Sequence, residues 1–81
     1  MSRLLKRRSA LADEFLDSYV CWREASEDVR TAYRRWADCQ PQERGLGFAT
    51  YRAALEREEL AASIHSDWAE RLGAFARGRR I

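Results

Sequence analysis

His65 is the single histidine of this chain, and Cys21 and Cys39 are its two cysteines. Any metal or nucleophilic centre would have to be assembled from these three side chains and the carboxylates. A helical di-metal site places Glu and His three residues apart on facing helices, so that both project inward. Ala62 occupies the position three before His65, and Glu58 and Glu59 lie seven and six residues away. His65 is therefore read as a hydrogen-bonded interface histidine, near Phe15 and Glu14, rather than as a ligand or a catalytic base. The cysteines stand 18 residues apart on what should be one helix, about 27 Å at 1.5 Å per residue. Such a separation excludes an intramolecular disulfide, which needs Cα atoms within about 7 Å. No C-x-x-C pair exists, so both thiols are read as inert small side chains, with Cys39 at the turn the better candidate for an intermolecular or redox role.

Glu56, Glu58 and Glu59 are interleaved with Arg52 and Arg57, the alternation of a solvated helix rather than of a general acid and base. Asp28 with Arg52, and Arg23 with Glu56, are the expected rim ion pairs. Trp22, Trp36 and Trp68 are read as core or interface anchors whose indole N–H groups need partners when buried. No catalytic residue, cofactor, metal or small-molecule substrate is expected from these patterns.

The best candidate for binding chemistry is the basic residues near the two ends. The net charge of +2 hides a segregation: Arg3, Lys6, Arg7, Arg8, Arg77, Arg79 and Arg80 lie outside residues 9–76, which are net acidic. Flexible cations contact phosphates without demanding fixed geometry, so this cluster suits nucleic acid or an acidic protein, or serves only to keep the chain in solution. Aromatic residues do not interleave with it except Phe75, so base readout is not indicated. Leu4, Leu5 and Ile81 would permit weak attachment to an anionic membrane, a less favoured reading.

Which elements must position these residues follows from spacing. Phe15, Trp22, Val29 and Trp36 recur every seven residues, two helical turns, and so share one stripe of a long helix. Helix 1 is expected over about 9–38, with Ser9 as N-cap and Asp13 and Glu14 near the positive end of the dipole. With the large residues at position a, position d holds Leu11, Ser18, Ala25, Ala32 and Cys39. A seam of large a and small d residues invites close approach of a second helix. Pro41 fits a first helical turn and pushes Gln40 into an extended conformation, so the turn is placed at 39–41 and helix 2 at about 41–76. Gly45 and Gly47 weaken its start by about 1 kcal/mol each relative to Ala. The basic ends, 1–8 and 77–81, are expected to fray.

So short a connection makes the helices antiparallel neighbours, and the fold class is an all-α, two-helix, coiled-coil-like hairpin in a single domain. Centring the turn on residue 40 sets Phe48 by Ala32, Leu55 by Ala25, and Ala62 beside Ser18. Large residues then meet small ones, and both basic ends collect at one end of the rod. Helix 2 has apolar surface to spare. Besides Phe48, Tyr51, Leu55, Ala62, Ala69 and Leu72 it carries a second stripe with Leu46, Ala53, Ala54, Leu60, Ala61, Ile64, Trp68 and Phe75. Leu46, Leu60, Ile64, Trp68 and Phe75 are accordingly the candidate interface, and homodimerisation into a four-helix bundle is the expected use of it.

Chains of 81 residues bury only about 60–65% of their unfolded surface, and a second subunit is a common remedy. No stretch reaches the roughly 18 apolar residues of a membrane span, and no apolar core follows the basic start, so a cytoplasmic protein is expected. Fourteen Arg against one Lys, with thirteen Ala, suggests a GC-rich bacterial source. In size and hairpin form the chain resembles the small WXG-type helical hairpins. Where their turn carries Trp-x-Gly, this one reads Trp36-Ala37-Asp38-Cys39-Gln40-Pro41, and membership is not assigned. The functional expectation is a non-enzymatic protein-interaction or scaffold hairpin; the alternative is a nucleic-acid-associated protein that grips phosphates through its basic ends.

Overall fold

The structure is a computed structural model that describes residues 3–78. Two long helices, α1 (Arg3–Asp38) and α2 (Arg44–Gly78), are joined by Cys39, Gln40 and one 3₁₀ turn, Pro41–Glu43. They lie side by side as a hairpin, a rod of 61 × 19 × 12 Å.

Helix α1 begins six residues earlier than Ser9. Leu4, Leu5, Lys6, Arg7 and Arg8 are all good helix formers with no breaker among them, so the helix runs through the basic segment that was expected to fray. At its other end the Cys39 N–H bonds the Trp36 carbonyl at 3.4 Å in a tightened last turn. Pro41 then holds Gln40 extended, at φ −68° and ψ 153°. Proline opens a 3₁₀ turn rather than the α-helix itself, closed by the Glu43 N–H on the Gln40 carbonyl at 2.9 Å. The α-helical part starts at Arg44, where the Gly45–Gly47 segment follows.

That extra turn moves the hairpin register. Ser18 meets His65, and Trp36 meets Gly47, so facing positions have numbers adding to 83, not to 80. The centre of reversal lies between Pro41 and Gln42 instead of at residue 40, because the 3₁₀ turn belongs to the reversal. The correction is just under one helical turn. Phe48 lies against Trp36, with ring centroids 5.2 Å apart, rather than against Ala32. His65 takes the place beside Ser18 that was expected for Ala62. The same register sets Tyr51 opposite Ala32, Ala54 opposite Val29 and Ala61 opposite Trp22, so large still meets small.

Among the described residues only Ser18, Ala25, Ala32 and Ala54 are buried, and no large side chain is fully so. The first three are the small d residues of α1, as the seam predicts. Ala54, 1% exposed, is the most enclosed of all. It belongs to the hairpin seam, not to the surplus stripe. The four aromatic and aliphatic a residues stay half-buried, straddling the seam with their outer edges toward solvent.

Candidate functional site

Two surfaces flank the seam, and they differ in chemistry. The first is aromatic and builds around two clusters on the a side of α1. Near the middle of the rod, His65 stacks on Trp22 at 5.5 Å and 23°, with Phe15 at 4.7 Å and Tyr19 at 5.6 Å. The Ser18 hydroxyl donates to the Phe15 carbonyl at 2.8 Å and lies 2.9 Å from His65 Nδ1. With its one proton directed at the Phe15 carbonyl, the hydroxyl is placed to accept from a proton on Nδ1. His65 is therefore a hydrogen-bonded, aromatic-boxed histidine of the helix interface, in contact with Phe15 as the sequence implied. Toward the turn, Trp36 stacks on Tyr51 at 5.5 Å and 14°, with Phe48 at 5.2 Å and Tyr33 at 6.2 Å. Tyr33, Phe48 and Tyr19 remain 51%, 45% and 41% exposed.

The second surface lies on the d side. Leu60, Ile64 and Trp68 of α2 form a groove of about 320 Å³ with Cys21, its rim set by Glu14, Asp17 and Arg57. Of the five candidate interface residues, Leu46, Leu60 and Ile64 are exposed, while Trp68 and Phe75 are half-buried. They do not form one continuous patch. Trp68 is covered by the Arg71 guanidinium, 4.7 Å from its ring, and Phe75 by Arg7 at 6.0 Å. Leu46 lines a separate groove by the turn, with Arg35, Asp38 and Glu43.

The turn cysteine, expected to be accessible, is the less exposed of the two thiols. Cys39 is half-buried and donates to the Trp36 carbonyl at 3.1 Å, because the tightened helix end folds its Sγ inward beneath Gly47. Cys21 is the exposed one. Ion pairing also departs from expectation. The two pairs among the described residues, Arg30–Glu27 and Arg52–Glu56, run along a helix instead of across the hairpin. The three-residue change of register moves Asp28 and Arg23 away from their supposed partners. Exposed pairs of this kind contribute little to stability.

Of the basic cluster, Arg3, Lys6, Arg7, Arg8 and Arg77 stand at the open end of the rod, all exposed. Arg79 and Arg80 lie outside the described residues. No group of three or more potential metal ligands occurs among the described residues, and no helix there is long and apolar enough to cross a membrane. The fold and its surfaces define a two-helix hairpin with flanking apolar faces. Comparison with known protein families, curated proteins and solved structures finds no match for the chain.

Spacing alone places Tyr19 and Tyr33 at the e positions of α1, beside the ladder, and Phe48 in the facing stripe of α2, but it does not indicate that they join in an outer aromatic row or that Ser18 bonds His65. Both needed the correct register to be read.

Proposed function

We propose that this chain is a small non-enzymatic interaction protein, a helical hairpin completed by a second copy of itself into a four-helix bundle, whose remaining surface binds another protein in the cytoplasm. One observation carries the reading. The hairpin encloses only three alanines and a serine among its described residues, and its accessible surface is 6623 Å², where a compact 9.5 kDa chain exposes about 5,000 Å². The excess, on the order of 1,600 Å², exceeds the roughly 800 Å² that each partner buries in a standard interface. Helices of this length gain most of their stability from packing one face, so a hairpin with two open faces is expected to associate. Light scattering at micromolar concentration tests it. A particle of twice 9.5 kDa is expected, and a clean monomer defeats the proposal.

A second reading rests on a different observation. Because α1 continues to Arg3, four cations of α1 and Arg77 of α2 are held at one end of the rod, with the Arg7 guanidinium seated on Phe75. Such a cluster suits a phosphate backbone without base readout. Binding to duplex DNA or RNA, followed across a salt series, should weaken as salt rises and vanish when Arg3, Lys6, Arg7 and Arg8 are replaced by Gln. Binding that ignores salt removes this reading.

A further inference from the structure

The positions that flank the seam on the aromatic side of the hairpin are free of charge to a degree that composition does not explain. Beside the seam on that side stand Ala12, Tyr19, Ser26 and Tyr33 of α1. The matching positions of α2 are Phe48, Leu55, Ala62, Ala69 and Ala76. None of these nine residues is charged, in a chain that is 35% charged. On the other side the equivalent positions include Glu14, Asp28, Arg35, Arg57 and Arg71, so the groove at Leu60 and Ile64 is bordered by ions. Desolvating such ions opposes burial in a subunit interface; on the aromatic side the charges are Glu58 in the α2 row of Tyr51 and His65, and at the margins Arg8 by Ala12 and Ala76, Arg23 and Glu27 by Tyr19, and Arg44 by Tyr33.

The order of large and small residues indicates what covers the uncharged side. Along α2 the row reads Phe48, Leu55, Ala62, Ala69, Ala76. Reversed upon itself about Ala62, it sets Phe48 on Ala76 and Leu55 on Ala69. The α1 row, reversed about its own centre between Trp22 and Arg23, sets Tyr33 on Ala12 and Tyr19 on Ser26. Large meets small in all four pairings. The two centres also coincide in space. In the observed register, Ala62 lies opposite Cys21 of α1, within 1.5 residues, or about 2 Å along the rod, of the α1 centre. The shared level follows from the nearly equal lengths of the two helices, 36 and 35 residues, and it lets both rows reverse about one axis.

Resting on the reading of a hairpin completed by a copy of itself, we infer that the face of Tyr19, Tyr33, Phe48, Leu55 and Ala62 packs on the same face of a second, antiparallel copy, about a twofold axis crossing the rod at Trp22 and Ala62. Each helix lies on its own counterpart, and the interface is isologous. A parallel pair would instead set each α1 on the other copy's α2, bringing Phe48 against Tyr33 and Ala69 against Ala12, large on large at one end and small on small at the other. The axis passes beside the Tyr19–Trp22–His65 cluster, which becomes the centre of the bundle. The groove of Cys21, Leu60 and Ile64 stays on the outside.

Engineered cross-links test this in a background with Cys21→Ser and Cys39→Ala. Ala62→Cys should form a covalent dimer on mild oxidation. Phe48→Cys and Ala76→Cys should each stay uncoupled and cross-link only when mixed. Leu60→Cys, on the outer side, should not cross-link. Dimer formation through Leu60→Cys but not Ala62→Cys overturns the choice of face. Self-coupling of Phe48→Cys, or cross-linking of Phe48→Cys with Tyr33→Cys, overturns the antiparallel order. A monomer by light scattering, in both the wild-type chain and the cysteine-free background, overturns the self-association reading as well. As a check that needs no cysteine, Ala62→Glu brings two carboxylates together at the axis and should abolish the dimer, while Ser63→Glu, pointing outward, should leave it intact. Equal behaviour of these two variants also refutes the inference.

Discussion

Gly47 and Gly73 offer a paired measurement of the hairpin register, because the same substitution in the same helix meets different surroundings. A Cβ at Gly73 would find only the tip of the Arg77 side chain, at 3.2 Å, which can swing aside. A Cβ at Gly47 would stand 3.3 Å from Trp36 Cδ1, 3.4 Å from Trp36 Cα and 3.6 Å from Cys39 Sγ. Trp36 has little room to retreat, being stacked on Tyr51 and set against Phe48 and Tyr33. Replacing a helical glycine by alanine stabilises by about 1 kcal/mol through backbone entropy and propensity. Gly73→Ala should realise most of it, raising Tm by about 4–8 °C for a domain this size. Gly47→Ala should gain clearly less, and Gly47→Leu should lose about 1–3 kcal/mol by overpacking, while Gly73→Leu stays near wild type. Thermal unfolding followed by circular dichroism at one fixed protein concentration separates these outcomes, since association would otherwise shift Tm. If Gly47→Leu proves as stable as Gly73→Leu, Trp36 does not lie over Gly47 and the register adding to 83 is wrong.

His65→Ala removes a ring in contact with Phe15, Tyr19 and Trp22 and the partner of Ser18; a loss of about 2–3 kcal/mol is expected in denaturant titration, against little change for the exposed neighbour Ser66→Ala. A thiol reagent added to the native protein should label Cys21 well before Cys39, since the latter is half-buried and hydrogen-bonded; peptide mass mapping at short times reads the order, and the reverse order refutes the inward placement of Cys39. Ala54→Leu, at the most enclosed position of the seam, should destabilise by about 1–3 kcal/mol, whereas Ala49→Leu on the exposed side should be nearly neutral in the same titration.

Two helices, their antiparallel order and the seam of small residues were legible in the sequence because each has a local cause. Pro41 cannot continue a helix, and the heptad of Phe15, Trp22, Val29 and Trp36 leaves Ser18, Ala25 and Ala32 as the approach surface. The register was not legible, since it depends on whether Pro41 opens an α-helix or a 3₁₀ turn, a choice made by a few residues of weak preference. That three-residue difference had consequences far from the turn. Spacing alone groups Ala54 with the surplus stripe, although it is the most buried of the described residues, and it draws the Asp28–Arg52 and Arg23–Glu56 pairs between positions that do not face. The start of α1 was misplaced because Ser9 is a good cap, yet Leu4 to Arg8 contain nothing to stop a helix. Of the candidate interface, Leu60 and Ile64 are exposed as the surplus-stripe reading requires, but charged neighbours border them: Arg57 of the same helix, legible from spacing, and Glu14 and Asp17 of α1, whose placement needs the register.

An antiparallel dimer also makes a prediction about salt that a parallel one reverses. Each hairpin carries Arg3, Lys6, Arg7, Arg8 and Arg77 at its open end, on a rod 61 Å long. A parallel pair would bring both sets together, within a screening length of about 8 Å at physiological ionic strength, and its affinity would rise as salt suppressed the repulsion. In the antiparallel pair the basic ends lie far apart, and each faces the partner's turn region, where Asp38 and Glu43 offset two of the three charges of Arg34, Arg35 and Arg44. Apart from Glu58, the side chains along the middle of the interface are uncharged, and apolar burial is only weakly strengthened by moderate sodium chloride. The dissociation constant, measured by sedimentation between 50 and 500 mM salt, is therefore expected to change by less than about threefold. A tightening of tenfold or more across that range would mean that like charges are being held together, and would contradict the antiparallel order. The same geometry bears on phosphate binding. With one basic cluster at each end, a dimer would engage two separated segments of a duplex, so a duplex shorter than the rod should bind through one end and lose the avidity that a longer one gains.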